Sequence, residues 1–245
     1  TDEFSGETAV VFASGFLVPE NNQNGPAFGL YAAFPDGEVV ELPQLGMEGA
    51  TATLQIIHNS ADPAAEIVDV YVNDEMFLDN FEFRSAIPFA EVPAGVDLNI
   101  GIAPGESKSA DDVIASFLIN LIEDENYVAI ASGVLGKAEF SDNPDGKDIG
   151  FTLFTRDKIS AYPGQDDNAV SVIAFHGSTD APSVDFTSAI NESSQPLINN
   201  LTYGEFSGYL KLQPDVYLLD MTLAGNNNAI VATYKIDLNG LGGNS

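Results

Sequence analysis

Two short segments each place a histidine, a serine and an aspartate within five positions: His58-Asn59-Ser60-Ala61-Asp62 and His176-Gly177-Ser178-Thr179-Asp180. These residue types could carry out acyl transfer if the serine oxygen met an imidazole nitrogen and a carboxylate oriented the ring. On a continuing strand His58 and Ser60 share one side, so a hydrolase using these segments is one reading. Neither serine lies in a Gly-x-Ser-x-Gly turn, however, and the chain has only 2 histidines. The competing reading is architectural. The histidine ends a strand and bonds backbone in the turn, Ser60 with Asp62 and Ser178 with Asp180 close that turn, and Pro63 or Pro182 fixes its exit. On that reading the chain has no catalytic residue.

A second constellation is acidic. Ser141-Asp142-Asn143-Pro144-Asp145-Gly146-Lys147-Asp148 gathers three carboxylates and an amide around a turn glycine. Asp142, Asn143, Asp145 and Asp148 are oxygen ligands of the kind that suits calcium. The spacing departs from the helix-loop-helix calcium motif and has no downstream bidentate Glu in register, so a solvated acidic turn competes with an ion site. No other cofactor is implied. The aromatic residues without tryptophan occupy strand positions such as Phe12, Phe28, Phe89 and Tyr217, where a core explains them. A glycan-binding face would need those rings exposed.

The elements that must position these groups are strands. Val96, Leu98, Ile100 and Ile102 alternate with polar or small residues, as expected of antiparallel sheets with one wet face. Strands are predicted at Thr53–His58, Ile67–Val72, Met76–Phe81, Ile87–Val92, Val96–Ala103, Val113–Leu121, Tyr127–Leu135 and Ile149–Thr155. Ser109–Ile122 also has a helix-capping serine and early aspartates, but its nearly continuous Ile, Leu and Phe favour a buried strand. Pro43–Gly49, Tyr162–Asn168 and Asn239–Ser245 read as linkers or tail.

The pattern repeats, and one copy is split. Ala13-Ser14-Gly15 follows Val10-Val11-Phe12, much as Ala131-Ser132-Gly133 follows Val128-Ala129-Ile130. The start of the chain therefore reads as the end of a unit, and its last part as the beginning of one. Residues 1–45 are terminal strands of a split repeat, 50–160 a complete repeat, and 169–245 the first part of the split one. The expected fold is all-β, with two immunoglobulin-like antiparallel β-sandwich domains. The second is completed by Thr8–Leu17 and Phe28–Phe34 of the same chain or of a neighbouring subunit.

The segments His58-Asn59-Ser60-Ala61-Asp62-Pro63 leading to Val68-Asp69-Val70-Tyr71-Val72, and His176-Gly177-Ser178-Thr179-Asp180-Ala181-Pro182 leading to Val184-Asp185-Phe186, resemble domain-of-unknown-function family 4397. Val92-Pro93-Ala94-Gly95 and Tyr127-Val128-Ala129-Ile130-Ala131-Ser132-Gly133 fit the same family. The resemblance implies secreted or envelope-associated bacterial or archaeal β-domains, commonly in tandem, and carries no activity. The second copy departs from it with Thr187-Ser188 in place of Tyr71-Val72.

Composition narrows the partners. Thirty-seven acidic residues against 8 basic ones give a formal charge of −29, which repels nucleic acid and anionic membrane surfaces. Such acidity answers either high salt or divalent cations. No cysteine is present, so packing rather than disulfides must hold the fold. No apolar run reaches the ~20 residues that span a bilayer, and a start at Thr1 without a leader reads as a processed, secreted or surface chain. The missing strands allow three arrangements: closure within one chain, head-to-tail exchange between subunits, or excision from a longer tandem array. Burial of the assembly-strand residues Val10, Phe12, Phe16, Phe28, Leu30 and Phe34, at about 1.5–3 kcal/mol each, is on the order of 10 kcal/mol before entropy. The leading expectation is thus a non-catalytic extracellular structural or adhesive module that self-associates. A calcium- or glycan-binding module is the alternative.

Overall fold

The computed structural model describes residues 9–16, 22–23, 25–26, 28–42, 49–159, 169–190, 193–225 and 229–241. The predicted linker 162–168 and the last four residues of the tail lie outside these, as do Leu17 and Thr8 at the ends of one expected strand. The fold is all-β, interrupted by 3-10 turns such as Pro63–Ala65 and Ala110–Asp112. The chain divides into two compact units, Thr1–Gly49 and Ala50–Ser245.

The first unit holds a three-stranded antiparallel sheet of β1 (Val10–Ser14), β2 (Gly29–Ala33) and β3 (Val39–Glu41), in that order. Phe34 leads into the turn that joins β2 to β3, donating its backbone N–H to Glu38. The apolar residues of this sheet are mostly uncovered: Val10 is 65% and Val11 58% exposed, and Phe12, Phe16, Phe28 and Leu30 are exposed as well. Within this unit Phe12 and Phe28 are not core residues. One three-stranded sheet has no second layer to bury its apolar residues.

The second unit opens with the complete repeat. Its strands are β4 (Thr51–His58), β5 (Ile67–Val72), β6 (Glu75–Glu82), β7 (Ala90–Pro93), β8 (Asp97–Pro104), β9 (Ala115–Asn120), β10 (Asn126–Ser132) and β11 (Thr152–Arg156). They form two four-stranded sheets, ordered β11-β10-β4-β7 and β6-β5-β8-β9. Alternation decides which side chains meet between them. Ala52, Leu54 and Ile56 of one sheet pack with Val68, Val70, Leu98, Ile100 and Ile102 of the other, all buried. Pairing is antiparallel throughout except that β4 and β10 run parallel, with Ile56 opposite Ala129 and His58 opposite Ala131. A parallel pair needs a long crossover, supplied here by β5 to β9.

The segment 109–122 resolves into both of its competing signals. Ser109 accepts a hydrogen bond from Asp111 N and caps a 3-10 turn, after which β9 forms the edge of its sheet. Its apolar run is half-buried on alternate positions, with Leu118 exposed, so the expectation of a buried strand is corrected to an edge strand.

The later half repeats this plan with fewer strands: β12 (Val170–Val172), β13 (Val184–Ile190), β14 (Ser193–Leu201), β15 (Leu210–Leu212), β16 (Val216–Leu223) and β17 (Ile230–Asp237). One sheet, β14-β13-β16-β17, matches β6-β5-β8-β9 strand for strand. The other, among the described residues, is β12-β15, matching β4-β7. A buried aspartate anchors the same place in each copy. Asp69 accepts from Asn80 N at 2.8 Å and Ser107 N at 3.1 Å, and Asp185 accepts from Asn200 N at 2.6 Å and Gly225 N at 3.1 Å.

Candidate functional site

The His-x-Ser-x-Asp segment follows β4, where alternation turns His58 inward with Leu54 and Ile56. His58 is fully buried. Its Nδ1 accepts from Ser60 N at 3.3 Å, which leaves the ring proton on Nε2, 2.7 Å from the carbonyl of Ala65. Burial also pushes the imidazole below its ordinary pKa. Ser60 Oγ donates to the carbonyl of Gly133 at 2.6 Å rather than to an imidazole. Asp62 accepts from Ala64 N and from Leu135 N, each at 2.8 Å. The three residues thus tie the end of β4 to the turn after β10.

That turn needs glycine. Gly133 has a φ of +100°, and a Cβ there would sit 2.4 Å from the carbonyl oxygen of Gly150. Beyond it, Val134 N donates to Ile149 O and Phe151 N to Val134 O, both at 2.8 Å.

The described residues of the second copy repeat the first half of this arrangement. His176 repeats the ring contacts, with Ser178 N on Nδ1 at 3.3 Å and Nε2 3.0 Å from Pro182 O. Ser178 and Asp180, in contrast, are exposed and bond to each other at 3.2 Å. Among the described residues β12 pairs only with β15, whereas β4 lies between β7 and β10. The interior that β10 and β11 close in the first repeat is, in the second, an open apolar cavity of about 430 Å³. Val172, Ala174, Phe186, Leu212, Leu219 and Tyr234 line it, and Tyr234 remains 53% exposed.

The β10–β11 pair has its likeness in the first unit. Gly15 has a φ of +91°, close to that of Gly133. Phe16 N donates to Pro26 O at 2.9 Å and Phe28 N to Phe16 O at 3.0 Å, the same two bonds that frame Val134. β1 and β2 pair antiparallel with Phe12 opposite Tyr31 and Ala13 opposite Leu30, as β10 and β11 pair with Ile130 opposite Phe154 and Ala131 opposite Leu153. The difference is burial: Val128 is 7% and Ala129 0% exposed, against 65% and 58% for Val10 and Val11.

The acidic loop joins the two repeats of the second unit. Asn143 Nδ2 donates to Thr179 O at 2.9 Å and to Ala181 O at 3.0 Å. Asp145 Oδ2 accepts from Ser183 N and Ser183 Oγ, each at 2.6 Å, and these bonds hold its carboxyl below the usual carboxylate range. Asp148 pairs with Lys137 at 3.0 Å and accepts from Gly150 N, which lower its pKa too. Asp142 is exposed. Among the described residues no three His, Cys, Asp or Glu side chains converge as a metal cluster. Sequence reasoning missed this latch because Ser183 and Thr179 are far from the loop in the chain. It also missed Asn59 and Ser132, whose side chains both reach the carbonyl of Gly177, at 3.5 and 3.4 Å. Beneath them Val128, Ile130 and Ile159 pack with Ile173, Phe175 and Phe206.

These features define an all-β protein with two related domains in tandem. A family model described as a domain of unknown function, DUF4397, matches residues 52–149 and 170–240, and the chain belongs to that family. Among curated proteins no sequence matches it.

Proposed function

We propose that this chain is a non-catalytic structural module, exposed at the surface of a bacterial or archaeal cell or secreted from it, that self-associates by strand complementation into a filament or array. One observation carries the reading: among the described residues the second repeat leaves open the apolar interior that β10 and β11 close in the first, and the β1–β2 pair resembles β10 and β11. An open apolar interior and a bare strand edge both favour acquiring a strand. The interface has one donor end and one acceptor end, so it propagates head to tail. A formal charge of −29 keeps the free subunits soluble, and salt that screens their repulsion favours assembly.

Mass in dilute solution together with electron micrographs of the concentrated protein tests this. Salt-promoted growth into linear particles is expected. Particles of one-chain mass at every concentration and ionic strength leave only a monomeric module. The calcium reading would require Asp145 and Asp148 to release Ser183 and Lys137, and an absence of any thermal shift on calcium titration removes it.

A further inference from the structure

The four-stranded sheets that begin with β6 and β14 carry the same irregularity. In the first repeat Val68 pairs with Phe81 and Val70 with Leu78, so that Asp69 faces both Asp79 and Asn80. In the second Val184 pairs with Leu201 and Phe186 with Ile198, so that Asp185 faces both Asn199 and Asn200. Each is a bulge on an edge strand, and a bulge re-aims the side chain it carries. Asn80 and Asn200 have left-handed φ values of +54° and +53°, their N–H groups donate to Asp69 and Asp185, and both residues are exposed. Their neighbours differ. Asn80 is followed by Phe81-Glu82, and Asn200 by Leu201-Thr202.

We infer that Asn200 is an attachment site for an N-linked glycan. This rests on the secreted or surface-exposed reading above and adds a covalent modification of the exported chain. Asn-x-Thr is the triplet that an N-glycosyl transferase accepts, and its asparagine must finish at the surface. The transfer joins Asn200 Nδ2 to the anomeric carbon of a sugar carried on a lipid phosphate or pyrophosphate. The bond from that carbon to the phosphate oxygen breaks, the lipid phosphate leaves with the electron pair, and one Nδ2 proton passes to a base of the transferase.

Two features of the fold support the assignment beyond the triplet itself. The first is the threonine. Thr202 Oγ1 is buried and has no hydrogen-bond partner among the described residues. Burying an unpaired hydroxyl costs stability that valine would not, so the fold gives no reason for a threonine here. The first repeat has the exposed Glu82 in its place. The second feature is the asparagine. The fold uses only its backbone, whose N–H donates to Asp185 at 2.6 Å, and among the described residues no hydrogen bond occupies its side-chain amide. Because the Thr202 hydroxyl is buried once the strand has folded, the sugar is added before then, to the extended chain during export. Folding then leaves a bulky polar group on the edge strand β14, where it blocks pairing with another sheet edge. The chain's other triplet of this kind, Asn191-Glu192-Ser193, has its asparagine outside the described residues.

Peptide mass spectrometry of the full-length protein recovered from its own cells tests this, with its location read in parallel from the culture medium and from a membrane-impermeant label on intact cells. The expected result is a glycan mass on the peptide that contains Asn200 and none on the peptide that contains Asn80. Asn200→Gln and Thr202→Val each lose that mass completely, whereas Thr202→Ser and Asn80→Gln keep it. Thr202→Val removes only an unpaired hydroxyl, so its melting temperature stays level or rises and the lost glycan is not a lost fold. An exported chain that is bare at Asn200, or a Thr202→Val chain that is still glycosylated there, overturns the inference and leaves the surface reading standing. A chain that stays inside the cell and is bare at Asn200 overturns both.

Discussion

The two repeats of the second unit begin alike and end differently. Each has a buried histidine, at the end of β4 in the first and four residues past β12 in the second, a His-x-Ser-x-Asp turn and a buried aspartate that pins the facing sheet. In the first, β10 and β11 follow, the serine and aspartate find partners in the turn after β10, and the core closes. In the second, nothing described follows β17 to play that part, so the same residue types lie at the surface beside an open cavity. A motif's burial and bonding are therefore properties of the completed sheet rather than of the motif. In the first repeat Ser60 and Asp62 join the end of β4 to the turn after β10.

Removing residues 1–42 gives the largest expected change. The shortened chain keeps its first repeat and loses all self-association, and a peptide spanning residues 9–33 restores thermal protection to the second repeat. Calorimetry with and without the peptide checks this, and no gain in the second repeat's melting temperature would count against the comparison. Next come paired core truncations. Ile100→Ala creates a cavity in a closed core and costs about 2–5 kcal/mol, whereas Leu219→Ala, at the equivalent half-buried position, costs about 1 kcal/mol or less in the unassembled protein. Denaturant melts of both variants read the difference.

Smaller effects sharpen the contrast. Ser60→Ala orphans the Gly133 carbonyl and costs about 1–3 kcal/mol, while Ser178→Ala leaves the dilute monomer almost unchanged because its hydroxyl bonds only to exposed Asp180. The smallest is a pH dependence. His58 has its folded pKa pushed down by burial, so the unfolded chain binds the extra proton. The stability from keeping that ring neutral is complete above about pH 6.5 and is lost as pH falls from there through the folded value. Asp145 also has a depressed folded pKa, held there by Ser183, so its contribution is present above about pH 4 and lost only in stronger acid. Thermal unfolding between pH 8 and pH 3 should show the His58 step first, and the step disappears in His58→Gln.

Much of this was legible in the chain because period-two alternation and punctuating turns are local signals. Strands such as β4, β5 and β8 fall close to where Thr53–His58, Ile67–Val72 and Val96–Ala103 were expected. The likeness of two turns was legible too, since Ala13-Ser14-Gly15 carries a φ-positive glycine as Ala131-Ser132-Gly133 does. The acidic loop was not. Its residues advertise oxygen ligands, yet Asn143 and Asp145 bind backbone and hydroxyl groups of Thr179, Ala181 and Ser183, partners no local pattern reveals.

The amino-acid sequence by itself determined the strands and the repeat, because side-chain alternation and turn chemistry act over a few residues. Only the tertiary structure decided that β4 and β10 run parallel, that Ser60 is buried while Ser178 is exposed, and that Phe12 and Phe28 lie uncovered. Burial depends on which distant strands complete a sheet, and two copies of one motif differ as soon as one of them lacks its neighbours.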